Sequence, residues 1–136
     1  MITVLDVETS FVDHNGKTDP LPFNPHNKLV SVGANDDYYF FYHRDSEFDV
    51  QKNHKDLQET LDKTTLLVGH NVKFDLVWLL ESGFKYKGRL YDTMIGEYVL
   101  LRGLRKPLSL KEICKRRSIA QKSDAVDDYM KQKISF

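Results

Sequence analysis

The 136-residue sequence predicts a mixed α/β fold: a sheet of three antiparallel strands followed by parallel strands, with flanking helices. Three observations predict it. Apolar runs rich in β-branched and aromatic residues occur at Met1–Val7, Lys28–Gly33 and Tyr38–Tyr42, the last two separated by Ala34-Asn35-Asp36-Asp37, which is hairpin chemistry. From Asp49 onward, stretches of helical period alternate with short apolar runs, the pattern of parallel strands joined by crossover helices. No Gly-x-Gly-x-x-Gly follows the first strand and no P-loop occurs, which excludes a dinucleotide-binding domain of that type.

The elements follow in order. In Met1–Val7 the apolar residues Ile2, Val4, Leu5 and Val7 read as a short buried strand ending at Asp6-Val7-Glu8-Thr9-Ser10. Phe11–Asn27, with Asn15-Gly16 and Pro20, Pro22 and Pro25, reads as a loop. The dense aromatic run Tyr38–Tyr42 reads as sheet packing rather than a base-stacking platform. Asp49–Lys63 is a helix with Val50, His54, Leu57 and Leu61 on one face, and Thr65–Gly69 is a fully buried strand. Val72–Ser82 is a helix with Phe74, Val77, Trp78 and Leu80 inward, stopped at Gly83. Arg89–Tyr91 is a brief strand, followed by helices over Thr93–Leu101, from Pro107-Leu108-Ser109 onward, and over Asp124–Lys133.

With 40% hydrophobic and 29% charged residues, the chain can bury a core, so disordered and fibrous classes are excluded. One cysteine, Cys114, rules out an internal disulfide framework and a multi-cysteine zinc site, and it fits a reducing compartment. No apolar stretch approaches the roughly 20 residues needed to span a bilayer, and no basic leader precedes the first strand. The expectation is a single soluble intracellular domain over residues 1–136. The net charge of zero hides an asymmetry: residues 1–68 carry 6 Lys/Arg against 12 Asp/Glu, and residues 69–136 carry 14 against 8. Carboxylates in one half that hold cations, beside a basic half that holds a polyanion, would produce that division; so would an unevenly charged solvated surface.

Two constellations carry chemistry. Asp6 and Glu8, two apart on a strand, point to one face, where paired carboxylates repel unless a cation or proton lies between them. Oxygen ligands of that kind select Mg²⁺ or Mn²⁺. In Gly69-His70-Asn71-Val72-Lys73-Phe74-Asp75 a buried strand turns into a helix, with Asn71 as the expected N-cap and Asp75 one turn further. The bland roles are a first-turn acid offsetting the helix dipole for Asp75, a hydrogen-bonded turn residue for His70, and capping alone for Asn71.

The order Val4-Leu5-Asp6-Val7-Glu8-Thr9, then His70-Asn71-x-x-Phe74-Asp75, then Asp92-Thr93-Met94 resembles the DEDD superfamily of 3′–5′ exonucleases, which have a ribonuclease H-like fold. The likeness is greatest to the proofreading domain of family A DNA polymerases, including phage versions, with RNase D-type enzymes next. Leu108-Ser109-Leu110, after the Tyr98–Leu101 helix, is similar to a further family segment, and the resemblance runs through nearly the whole chain.

The resemblance implies hydrolysis of phosphodiester bonds from the 3′ end of single-stranded DNA, assisted by two Mg²⁺ or Mn²⁺ ions. It implies Asp6, Glu8 and Asp75 as catalytic residues and metal ligands, with Asp6 touching both ions, and Thr9, His70 and Asn71 as substrate contacts. Asp92 is expected to cap its own helix rather than bind metal. A linked or associated polymerase domain is the implied partner. The chain departs from the family in its third motif, Tyr-x-x-x-Asp or His-x-x-x-x-Asp: Tyr129 is followed four residues later by Lys133. The expectation is a C-terminally incomplete domain, with Asp124, Asp127 and Asp128 as the candidate substitutes within the chain. An exoribonuclease of the RNase D kind and an inactive nucleic-acid-binding domain of the same fold are the alternatives.

The basic half, densest at Arg102–Lys106 and Lys115–Arg117, offers phosphate contacts, although most of these side chains are expected to be solubilising. Phe11 and Phe74 are candidates to stack on a terminal base, with core burial the stronger expectation for Phe74.

Overall fold

Strand β1 (Ile2–Thr9) alternates strictly, with Thr3, Leu5 and Val7 buried and Ile2, Val4, Asp6 and Glu8 exposed, so one face of the central strand meets the core. The computed structural model describes residues 1–14 and 17–120. The expected helix over Asp124–Lys133, with Asp124, Asp127, Asp128 and Tyr129, lies outside the described residues, as do Asn15, Gly16 and Lys122.

The described elements are β1, β2 (Val12–His14), β3 (Lys17–Asp19), β4 (Leu29–Ala34), β5 (Asp37–Phe40), α1 (Val50–Lys63), β6 (Leu66–Gly69), α2 (Val72–Glu81), β7 (Arg89–Asp92), α3 (Thr93–Leu100) and α4 (Leu110–Arg116). Five strands form one sheet in the order β5-β4-β1-β6-β7. The β1–β4 and β4–β5 pairs are antiparallel; β1–β6 and β6–β7 are parallel. The mixed α/β, ribonuclease H-like architecture is therefore present, with helices on the side of the sheet that Leu5, Val7, Val32 and Leu67 face.

The chain divides after Gly96 into two units. In the first, Leu57 and Leu61 of α1 and Trp78 and Leu79 of α2 are buried with the inner sheet face, and Phe84 closes the cluster. Truncating any of the fully buried leucines to alanine typically costs about 2–5 kcal/mol. Thr3 and Thr64 share a buried 2.7 Å hydroxyl–hydroxyl hydrogen bond, which satisfies two polar groups inside this core. Asp49 caps α1 by accepting from the Lys52 N–H, where the sequence begins its helix.

Several details differ from the sequence reading. The segment Phe11–Asn27 is not all loop, because β2 and β3 pair antiparallel on either side of Asn15-Gly16 in the sequence. In α2 the inward residue is Leu79, while Leu80 is exposed, and in α1 Val50 is exposed. Both helices carry apolar residues beyond their buried stripe, and the stripe is set by packing rather than by composition. His54 remains on the inner side, stacked on Phe84 with ring centroids 4.0 Å apart. The aromatic strand is split: Tyr39 and Phe41 pack against the core, and Tyr38, Phe40 and Tyr42 are exposed.

In the second unit Ser109 caps α4, accepting from the Glu112 N–H. Glu97, only 4% exposed, is bonded to Arg116 at 2.9 Å and Arg117 at 2.8 Å. Those hydrogen bonds, the one from Arg117 foremost, hold its carboxyl below the usual range. Arg116 also donates to the Pro107 carbonyl. Two of the basic residues considered for phosphate contact are thus engaged in an internal ion pair.

Candidate active site

β1 runs past the end of its parallel neighbour. It pairs with β6 only as far as Val4 opposite Val68, so Asp6, Val7 and Glu8 extend beyond the last paired rung. The C-terminal ends of parallel strands in an open α/β sheet are where such folds place their ligands. On the other side Asp6 lies opposite Gly33 and Glu8 opposite Ser31 in β4, and the register slips between Glu8 and Thr9. Asp6 and Glu8 therefore share the exposed face, and Thr9 sits half-buried just past the irregularity.

Asp75 fills the space beside the overhanging part of β1. One turn into α2 and 5% exposed, it accepts a backbone hydrogen bond from Val7. A side chain at Gly69 would come within 3.3 Å of its Oδ2, and as close as 3.0 Å to Val72, so the bare glycine at the end of β6 makes room for the carboxylate. Burial, and then the neighbouring charges of Asp6, Asp92 and Glu8, push the Asp75 carboxyl up from 3.8 to about 7. The Val7 hydrogen bond opposes that rise.

The turn before α2 is built differently from the sequence expectation. Asn71 is not a side-chain N-cap: it is in the left-handed region at φ 59° and makes no capping hydrogen bond. Asparagine tolerates that conformation better than most residues. The cap comes from Asp92, which stands beside Gly69 in the parallel register. Its carboxylate accepts the N–H groups of Asn71 at 3.0 Å and Val72 at 3.1 Å, and the N–H of Met94 in its own helix at 2.9 Å. The expected capping of α3 by Asp92 is present, and the same carboxylate serves a second helix start. The sequence signal for this lies in register: Asp92 and Gly69 end neighbouring strands. His70 Nδ1 and Thr93 Oγ1 share a 2.9 Å hydrogen bond, and Thr93 donates to the Gly69 carbonyl at 3.3 Å, which fixes the imidazole beside the same strand ends.

Asp6, Asp92 and Glu8 are near enough to Asp75 for their charges to act on its carboxyl, with His70 and Asn71 in the turn that leads into α2. Among the described residues no three His, Cys, Asp or Glu side chains converge closely enough to form a metal-holding group. The donor chemistry nevertheless fits hard divalent cations, because carboxylate oxygens are their preferred ligands and a cation would offset the charges of Asp6, Asp92 and Glu8 that, after burial, raise the Asp75 carboxyl. Of the two aromatic candidates, Phe11 is 62% exposed and Phe74 packs against the core.

A family model described as 3′–5′ exonuclease matches residues 23–132. Its span takes in the His70–Asp75 turn and Asp92 but starts after β1, so Asp6 and Glu8 precede it. No curated protein matches the chain.

Proposed function

The chain belongs to the 3′–5′ exonuclease family of family A DNA polymerases, and we propose that it removes nucleotides from the 3′ end of single-stranded DNA as a proofreading domain. Water supplies the attacking oxygen, the bond from phosphorus to the 3′-oxygen breaks, and a nucleoside 5′-monophosphate leaves a strand shortened by one. The observation that supports the reading is the buried Asp75 carboxylate, on which the charges of Asp6 and Glu8 act where β1 overhangs the end of β6.

Asp6, Glu8 and Asp75 would hold Mg²⁺ or Mn²⁺. When bound, such ions make a bound water nucleophilic near neutral pH and neutralise charge on the leaving oxygen. Val7, through its backbone, and Gly69, through its missing side chain, hold the Asp75 carboxylate in place. Asn71 has its N–H committed to Asp92 while its side chain takes no part in capping, and that side chain would contact the strand. Thr9 and His70 complete the substrate contacts. The domain would work in the cytoplasm of a bacterial or phage-infected cell, beside a linked or associated polymerase.

Digestion of a 5′-labelled DNA oligomer with Mg²⁺ or Mn²⁺, beside Asp6→Ala and beside an RNA of the same sequence, tests the proposal. A ladder shortening from the 3′ end, absent in Asp6→Ala and faster on DNA than RNA, supports it. Preference for RNA would point to the exoribonuclease reading. No cleavage of either would leave a nucleic-acid-binding domain of this fold.

A further inference from the structure

Not every basic residue is spent inside the fold as Arg116 and Arg117 are. Between the end of α1 and the segment that leads into β7 lies a groove of about 290 Å³, lined by Asp62, Thr64, Lys85, Tyr86, Lys87 and Gly88 among others. Its size is at the low end for small-molecule sites. The segment carrying the lysines has no helix or strand of its own, yet it is pinned at three points. Gln58 of α1 accepts the Lys85 N–H at 2.9 Å and donates to the Lys85 carbonyl at 2.9 Å. The Tyr86 hydroxyl donates to the Arg89 carbonyl at 2.7 Å, and a side chain at Gly88 would collide with that hydroxyl, so the bare glycine permits the closure. Lys85, Lys87 and Arg89 are exposed, and among the described residues none of the three is in an ion pair. Arg89 stands close enough for its charge to act on the Tyr86 hydroxyl. Asp62 is the only acid lining the groove among the described residues, and its Oδ1 already accepts from Gln58 at 2.8 Å.

We infer that this groove binds a phosphate group, held by Lys85, Lys87 and Arg89, at a place separate from the candidate active site. It lies at the N-terminal ends of β6 and β7, whereas Asp6 and Glu8 lie beyond the C-terminal end of β6. The rise along the strand from the level of Thr64 to the level of Asp6 is about 20 Å, so the site needs no divalent ion at the carboxylates. Ammonium groups act as point charges toward phosphate oxygens, and a guanidinium offers paired donors in a plane. The pinned backbone keeps the anchors of these side chains together, so an entering anion meets them without first ordering the segment. Phosphate comes to such a groove either as a free ester or as part of a nucleic acid backbone, and the two are separable by experiment.

Inorganic phosphate, dAMP and a single-stranded DNA oligomer without a terminal phosphate are each titrated at constant ionic strength and without divalent ions. They are added to the unaltered chain, to Lys85→Gln/Lys87→Gln, and to Arg105→Gln/Lys106→Gln, which removes the same charge from exposed positions elsewhere. The Gly88 amide and Tyr86 ring resonances are followed. Saturable movement of both is expected in the unaltered chain, with affinity about tenfold lower in Lys85→Gln/Lys87→Gln and unchanged in Arg105→Gln/Lys106→Gln. The bonds that pin the segment use the Lys85 backbone, so the lysine substitutions leave them in place. Trp78 fluorescence on heating reports whether each variant is folded. A response to phosphate and dAMP supports the site with a free ester as its ligand, and a response to the oligomer alone supports it with a nucleic acid backbone. The site is overturned if none of the three moves these resonances, or if Lys85→Gln/Lys87→Gln responds as the unaltered chain does. An equal loss in Arg105→Gln/Lys106→Gln also overturns it, because net charge alone would then account for the binding. Each of these outcomes stands whether or not the chain cleaves DNA.

Discussion

Placing Asp75 under α2, against the Val7 backbone and near three other carboxylates, moves its protonation into the neutral range, and that has a consequence for stability. Its carboxyl is raised from 3.8 to about 7 by burial first and then by Asp6, Asp92 and Glu8. The folded chain therefore binds this proton more tightly than the unfolded chain does. The contribution to stability is fully present below about pH 4 and is lost as pH rises through about 7. Asp75→Asn removes the charge and keeps the size. The variant is expected to match the unaltered chain near pH 4 and to exceed it by on the order of 1 kcal/mol or more at pH 8. Urea titrations at the two pH values, read by the single Trp78, check the difference, and equal stabilities at pH 8 would refute it.

A divalent cation should act in the opposite sense to proton loss. At pH 8, added Mn²⁺ is expected to raise the melting temperature of the unaltered chain, and to do so far less at pH 4 or in Asp6→Ala. Differential scanning calorimetry with and without the ion gives the answer. For catalysis, Asp6→Ala is expected to lose more rate than Asp75→Ala, because the family resemblance implies that Asp6 would contribute to holding both ions. Equal losses in a single-turnover assay would remove that assignment. The acids themselves were readable: alternation placed Asp6 with Glu8, and a strand ending in a helix placed Asp75 in a first turn. Their electrostatic convergence was not readable, since it depends on how far β1 overhangs β6.

Among the elements, the junction between β6 and α2 shows why local rules misassign a role. Asn71 occupies the sequence position of an N-cap, and asparagine is a favoured residue there. The cap is supplied instead by Asp92, across the β6–β7 pair, and Asn71 takes the left-handed conformation that lets its own N–H point to that carboxylate. Asp92→Ala leaves three backbone N–H groups without their acceptor and is expected to cost about 1–3 kcal/mol. Asn71→Ala, which removes no capping bond, should cost less than Asp92→Ala. Chemical denaturation of the two variants decides the order, and a greater loss in Asn71→Ala would contradict it. The phase of α2 was missed for a similar reason: Leu79 and Leu80 are equally apolar, and only the approach of the sheet selects Leu79.

For the molecule as a whole, the split between antiparallel and parallel pairing was legible, because turn chemistry and the alternation of periods constrain topology strongly. The β2–β3 hairpin escaped because two three-residue strands carry too little pattern to stand out from a proline-rich stretch. The uneven charge distribution is in part architecture: Arg116 and Arg117 are spent on Glu97.

The central position of β1 also governs how the chain must assemble. Its antiparallel partner β4 follows it closely, but its parallel partner is distant, with Met1 and Thr65 joined by hydrogen bonds across 64 residues. Parallel pairing over such a separation closes a large loop before any contact rewards it, and folding of such topologies is correspondingly slow. During synthesis, the strand bearing Asp6 and Glu8 is therefore flanked on one side only until β6 emerges. Two carboxylates on that half-paired strand repel a second copy of themselves, and so the acids that would serve the mature site also guard the nascent chain against edge-to-edge association.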